Sequence, residues 1–227
     1  GESLATAQPP MFPISSVLAL PAVSLAGCVC ANLFRPTTKH KSESNETLAQ
    51  EQRAVGLGMA SAALTGVVGV LCAPELFHLP AHMNLDDTLQ RIVYALQWQS
   101  LTLLPLAAAI GIVAGRRFFS DISTMRGAAT ATIELHQRFL QNTLEQVVLA
   151  IPAQLILASH LSKEKLPIVP VLSAMFLTAR ILFWQGYVVT QGRSAGARAY
   201  GFALTFYPTM GALVSGFVMQ VAALLRA

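Results

Sequence analysis

The sequence predicts an all-α integral membrane protein, and three observations carry that prediction. The 227 residues are 54% hydrophobic and only 11% charged, whereas charged residues make up about 25% of a typical soluble domain. The mean hydropathy is +0.55. The chain contains long runs with almost no charge, which are typical of membrane-spanning helices. Nucleic-acid binding is not expected despite the pI of 9.2, because the basic residues lie in short connectors.

Six apolar runs, each long enough to cross a bilayer, follow one another along the chain. They occupy residues 11–34, 54–79, 92–115, 134–160, 166–190 and 199–225. The first run contains Pro13 and Pro21 and is therefore the least regular. In the second, Gly58, Ala62 and Gly66 form a stripe of small residues, which predicts close approach of another helix.

The third run repeats this pattern of small residues. Ala107, Gly111 and Gly115 are again spaced by four, so a second close helix contact is expected. Pro105 lies within the run and predicts a kink.

The fourth run is the most informative, because ionisable groups share one of its faces. Arg138, Asn142 and Glu145 fall within roughly 60° of one another on a helix, and Glu134 extends the row by one turn. Ionisable groups in a membrane helix are costly and indicate a functional site by default. The alternative is a structural network, in which an Arg–Glu pair and the asparagine tie this helix to its neighbours.

The distribution of basic residues predicts the orientation in the membrane. The connectors 35–53, 116–138 and 191–198 contain ten of the 15 Lys and Arg residues. The positive-inside rule therefore places these connectors in the cytosol and both termini on the other side. The glycosylation sequon at Asn45 disagrees, because it would be used only on the lumenal side.

No metal site is predicted. Cys28 and Cys30 lack the further ligands that zinc requires, and we interpret them as small packing residues or as palmitoylation sites. Pro80 lies between His78 and His82 and disfavours a regular helix there. We interpret these histidines as loop residues.

Three motifs resemble those of a known family. They are Arg138-x-x-x-Asn142-x-x-Glu145, Arg180-x-x-x-x-x-x-Tyr187, and Arg198 at the start of the last run. Together they resemble the MAPEG family, the membrane-associated proteins in eicosanoid and glutathione metabolism.

The resemblance divides the chain into two parts. It covers residues 92–225, and the segments 179–187 and 199–208 are most similar to a divergent, MAPEG-like branch found in skin epithelium. Residues 92–227 are then a MAPEG-like four-helix domain. Residues 1–91 are two extra N-terminal membrane helices with their connectors.

The resemblance implies a homotrimer that binds glutathione in a cleft between neighbouring protomers. Glutathione carries two carboxylates and one ammonium group, which suit arginine and glutamate side chains respectively. An arginine at the position of Arg198 stabilises the glutathione thiolate in catalytic members, so Arg198 is the implied catalytic residue. The implied glutathione-binding residues are Arg116, Arg117, Arg138, Asn142, Glu145, Arg180, Tyr187 and Arg198.

Two functions from different classes follow. The first is a glutathione transferase- or peroxidase-like enzyme acting on a lipophilic substrate. The second is a non-catalytic protein of secretory or endolysosomal trafficking in epithelial cells, with glutathione structural or absent and a membrane-protein partner bound through residues 1–91. Ala199 and Gln141 stand where many catalytic members have Ser and a basic residue, which favours binding over turnover. Contact with membrane lipid and a location in the Golgi, lysosome or endoplasmic reticulum are expected.

Overall fold

The computed structural model describes residues 44–79, 85–119 and 128–226. These residues form six α-helices and one short 3-10 helix, and no strand occurs among them. The helices are α1 (Ser44–Leu71), α2 (Ala73–Leu76), α3 (Thr88–Phe119), α4 (Ala128–His160), α5 (Ile168–Val189) and α6 (Gly196–Leu224), with the 3-10 helix at Lys163–Lys165. The all-α prediction is confirmed. The predicted run 11–34, the pair Cys28 and Cys30, and His82 lie outside the described residues.

The bounds of α1 and α4 differ most from the apolar runs. Helix α1 begins ten residues before its run and ends at Leu71, because the chain turns at Cys72 and Pro74 then occupies the first turn of α2. Proline is tolerated there, since an N–H in the first turn has no partner within the helix. Helix α4 begins at Ala128, six residues before Glu134. Polar residues at these starts continue the helices beyond their apolar parts.

Four of the described helical segments are long and apolar enough to cross a membrane. They are Leu48–Leu71, Thr88–Phe119, Lys163–Val189 and Gly196–Leu224. Helix α4 is not among them, although its 33 residues span about 50 Å. Its buried side chains include Gln146 and Gln154, which lower its hydropathy. The chain is therefore a multi-pass integral membrane protein, and exposed apolar side chains on its outer faces contact lipid.

Helix α5 lies at the centre of the bundle and α1 at its edge. Most of the apolar window of α5 is buried inside the structure, against 22% of the window of α1. Helix α3 packs on α4 and α5, helix α6 packs on α4 and α5, and α1 packs mainly on α6. The buried apolar residues of the described chain form three clusters, and the largest includes Ala62 of α1 and Ala73 of α2 beside residues of α3 to α6.

The small-residue stripe of α1 makes the close contact that the sequence predicts. A Cβ atom added at Gly58 would lie 3.2 Å from the backbone N of Tyr200, and one added at Gly66 would lie 3.3 Å from Pro208 Cγ. The second stripe differs. Among the described residues, no atom would lie within 4 Å of a Cβ at Gly111, so this face of α3 makes no close contact within the bundle.

Helices α5 and α6 approach until their backbones touch. A Cβ atom at Gly201 would lie 2.5 Å from the backbone N of Phe183 and 2.7 Å from the carbonyl oxygen of Ala179. A Cβ at Gly186 would collide with the carbonyl group of Ala197. Any larger residue would therefore push these two helices apart.

Candidate functional site

A cavity of about 490 Å³ lies at the end of the bundle where α5 leads into α6. Its polar wall contains Arg138, Asn142 and Glu145 from α4, Tyr187 from α5 and Arg198 from α6. The volume lies within the range of small-molecule sites, which is roughly 300–1,000 Å³. The structure therefore brings five of the eight predicted binding residues to one cavity.

The exposed side chains of α4 form local pairs beside the cavity. An Nη atom of Arg138 donates a hydrogen bond to Glu134 Oε1 at 2.5 Å, and the amide of Gln141 donates to Glu145 Oε1 at 3.2 Å. The Arg–Glu pair considered from the sequence thus forms with Glu134, one turn before the cavity. Both partners are mostly exposed, so the pair exchanges readily with other partners.

A left-handed turn after α5 positions Arg198. Gln191 and Gly192 have φ angles of 51° and 73°, and the Gly192 N–H donates to the Tyr187 carbonyl at 2.9 Å. The Gly192 carbonyl then accepts a hydrogen bond from an Nη atom of Arg198 at 3.0 Å. The same guanidinium lies 4.8 Å from the centre of the Tyr187 ring. The turn therefore holds these two predicted residues together at the cavity.

Arg180 is buried next to the cavity and does not line it. Its side chain has no exposed area and donates to Asn142 Oδ1 at 2.8 Å and to Thr205 Oγ1 at 3.0 Å. The guanidinium carbon lies 4.4 Å from the centre of the Phe183 ring. These three residues belong to α4, α6 and α5, so Arg180 links three helices and fixes the side chain of Asn142.

Arg116 and Arg117 lie apart from the cavity. Both are exposed in the last turn of α3, where cations are favoured by the helix dipole. Neither lines the cavity within this chain.

Several residues at or next to the cavity were not predicted from the sequence, among them Phe183 and Ala195. Val55 and Met59 of α1 and Phe202 of α6 line it, and Thr205 binds Arg180. The first three are ordinary apolar positions in apolar runs, so no sequence signal marks them. Thr205 carries a weak signal as a polar residue within a membrane segment.

The comparisons with known proteins find one matching family, over the part of the chain that contains α3 to α6. The MAPEG family model matches residues 92–218. Mouse Transmembrane protein 79 is 25% identical over 126 residues, which is 55% of this chain and 31% of the mouse protein. Bovine Transmembrane protein 79 is 24% identical over 129 residues, which is 56% of this chain and 31% of the bovine protein.

The MAPEG-like branch that the sequence indicates is the branch that contains mattrin. Transmembrane protein 79 is another name for mattrin, so these relatives confirm that prediction. The aligned region covers less than a third of either relative. No solved structure matches the chain. Because the family model covers more than half of the chain, the protein belongs to the MAPEG family, and five of the six motif residues line one cavity.

Proposed function

We propose that the protein binds glutathione in the cavity between α4, α5 and α6. The observation that carries the proposal is the charge pattern of the polar wall, in which Arg138 and Arg198 are accompanied by one carboxylate, Glu145. Glutathione has the complementary pattern of two carboxylates and one ammonium group. Arginine is well suited to carboxylates, because its guanidinium offers two parallel donors. Membership of a family associated with glutathione supports the same ligand.

Each polar residue has a role in this proposal. Arg138 exchanges its exposed partner Glu134 for a glutathione carboxylate, and Glu145 takes the ammonium group. Asn142 and Tyr187 provide hydrogen bonds. Arg180 acts through Asn142 and is a positioning residue, because it does not line the cavity.

Arg116 and Arg117 enter the proposal through assembly. They lie outside the cavity of their own chain. In the homotrimer that the family resemblance implies, they serve the cavity of a neighbouring protomer, where a further cation would meet a glutathione carboxylate.

Bound glutathione supplies a thiolate, the nucleophile in conjugation and peroxide reduction. Arg198 stabilises the negative charge on sulfur, and Gly192 and Tyr187 hold its guanidinium in place. Ala199 offers no hydroxyl group beside it and is buried against Gly58 of α1. We therefore place binding ahead of turnover.

The absence of a side-chain donor at Ala199 favours a second candidate function. In this alternative the protein is a non-catalytic component of the endomembrane system, and bound glutathione is structural or regulatory. The two candidates share the binding step and differ in whether an electrophile is consumed. An electrophile screen on the glutathione-bound protein separates them.

Calorimetry on the detergent-purified protein tests the proposal. We expect saturable glutathione binding that is weakened by about tenfold or more in Arg138→Ala and in Arg198→Ala. Arg193→Ala is the matched control, because Arg193 is exposed in the connector just before α6 and does not line the cavity. No binding at millimolar glutathione, or an equal loss in the Arg193 variant, would overturn the proposal.

A further inference from the structure

Helix α1 forms part of the cavity although it precedes the segment that matches the family. The family model begins at residue 92, whereas Val55 and Met59 of α1 line the cavity beside Arg198. Helix α1, which lies outside the family match, is therefore in a position to contact a ligand bound in this cavity.

The position of α1 on α6 is fixed by three separate contacts. A Cβ atom at Gly196 would lie 2.8 Å from the Cβ of Ala54, and one at Gly58 would lie 3.3 Å from the Cβ of Ala199. The hydroxyl of Tyr200 donates to Thr65 Oγ1 at 3.1 Å. These contacts hold α1 against the first turns of α6.

The side chains from α1 belong to an apolar wall. Val55 and Met59 line the cavity together with Phe183, Ala199 and Phe202, while the ionisable groups come from α4, α5 and the start of α6. Methionine is flexible and polarisable, so its side chain adapts to ligands of different shape. A wholly polar ligand would leave this wall unused, whereas an apolar group placed against it would be removed from water or lipid headgroups.

We infer that α1, which lies outside the family match, provides the apolar wall that receives the substituent of an S-substituted glutathione. Its polar head pairs with Arg138 and Arg198, and its apolar substituent packs on Val55, Met59 and Phe202. The inference rests on the proposed function, because glutathione is taken as the head. The substituent is then on sulfur, because the proposed function places the sulfur beside Arg198. The next residue, Ala199, packs directly against α1.

A ligand series measures this subsite directly. We compare glutathione, S-methylglutathione and S-hexylglutathione by calorimetry on the full chain. Burial of one methylene contributes about 0.8 kcal/mol when complete, so even partial burial of the hexyl chain should tighten binding by about tenfold over the methyl compound. In Met59→Ser and Val55→Ser this gain, measured as the ratio of the S-hexyl to the S-methyl affinity of the same variant, should fall to about twofold.

Leu57→Ser is the matched control. Leu57 lies on the same helix between the two lining residues, and it is 53% exposed and does not line the cavity. It makes the same change in polarity, so it reports any general damage to α1. The gain from the hexyl chain should be retained in this variant.

The outcomes separate the inference from the proposed function. Glutathione binding with a hexyl gain that Met59→Ser does not reduce would overturn the inference alone. Failure of the wild-type protein to bind any member of the series would overturn both.

As a second measurement, a photoreactive diazirine at the end of the S-alkyl chain should cross-link to residues 55–59. Cross-links confined to other helices would overturn the inference.

Discussion

Two arginines on neighbouring helices show how differently one side chain is used. Arg180 is fully buried, and its hydrogen bonds go to side chains on α4 and α6. Arg198 lines the cavity and donates to the backbone of the turn just before its own helix. The hydrogen bonds of Arg180 join three helices, and a ligand that replaced their acceptors would break them. The hydrogen bond of Arg198 fixes its guanidinium locally and leaves it facing the cavity.

The partners of Arg180 reinforce the contrast. Both are neutral groups, and among the described residues no carboxylate pairs with this arginine. A buried cation without an anion is unfavourable, and the two hydrogen bonds offset only part of this cost, because Nε of Arg180 has no partner among the described residues. Both hydrogen bonds connect α5 to neighbouring helices. We therefore assign Arg180 to assembly of the bundle and Arg198 to ligand binding.

The largest expected effect is on stability, in Arg180→Ala. The change removes one buried and one partly buried hydrogen bond and leaves a cavity among three helices, so the free energy of unfolding should fall by about 3–5 kcal/mol. Thermal unfolding in detergent is the measurement, with Arg193→Ala as the control. An unchanged midpoint together with lost glutathione binding would place Arg180 in the ligand site instead.

Arg198→Ala should have the opposite profile. Loss of a hydrogen bond between charged groups should weaken glutathione binding by about tenfold to a hundredfold. Stability should change by less than about 1 kcal/mol, because Arg198 lies at the end of the bundle. Calorimetry and thermal unfolding of the same sample give both quantities. A fall in stability as large as that of Arg180→Ala would contradict the assignment.

Asn142 accepts a hydrogen bond from Arg180 and also lines the cavity. Asn142→Ala should therefore lower both the stability and the glutathione affinity, each by less than the two arginine variants do. Its loss leaves an N–H of Arg180 without an acceptor, which costs about 1–3 kcal/mol of stability, and it removes a polar group from the cavity. Thr205→Val is the matched variant, since it removes the other acceptor of Arg180 but does not line the cavity. Equal loss of affinity in the two variants would show that the effect of Asn142 is indirect.

The smallest expected effect is a gain. In Glu134→Gln the exposed ion pair with Arg138 is lost, and surface pairs contribute about 0–1 kcal/mol. Glutathione affinity should therefore rise, by fivefold at most, because Arg138 no longer leaves a partner when it binds a carboxylate. Glu75→Gln, an exposed change outside the cavity, is the control. A decrease in affinity would mean that Glu134 supports the binding geometry.

The helical fold and the polar wall of the cavity were predictable from the sequence. Apolar runs set the helices, and the spacing of Arg138, Asn142 and Glu145 placed them on one face. The spacing did not reveal that one part of this face is turned toward the interior of the bundle and another part toward its surface. Asn142 turns toward the buried Arg180, while Glu145 remains at the surface.

The apolar wall was not predictable, because it depends on contacts between distant segments. Gly58 predicted a close helix contact but not that its partner would be α6. Only the packing of Gly58 on Ala199 and Tyr200 brings Met59 to the cavity. The buried hydrogen bonds of Gln154 with Gln99 and Ser173 were missed for the same reason.

The backbone contact at Gly201 has a consequence for the rates of ligand exchange. Since α5 and α6 have no side chain between them there, even a small separation of the two helices would break their backbone contact. Helix α1 rests on α6 through small side chains and one hydroxyl pair. Because α1 lies at the edge of the bundle and lines only the apolar wall, we expect its movement to be the easier way to admit an S-substituted glutathione. The residence time of such a ligand would be set by how often α1 lifts away, rather than by how strongly the polar wall holds the head.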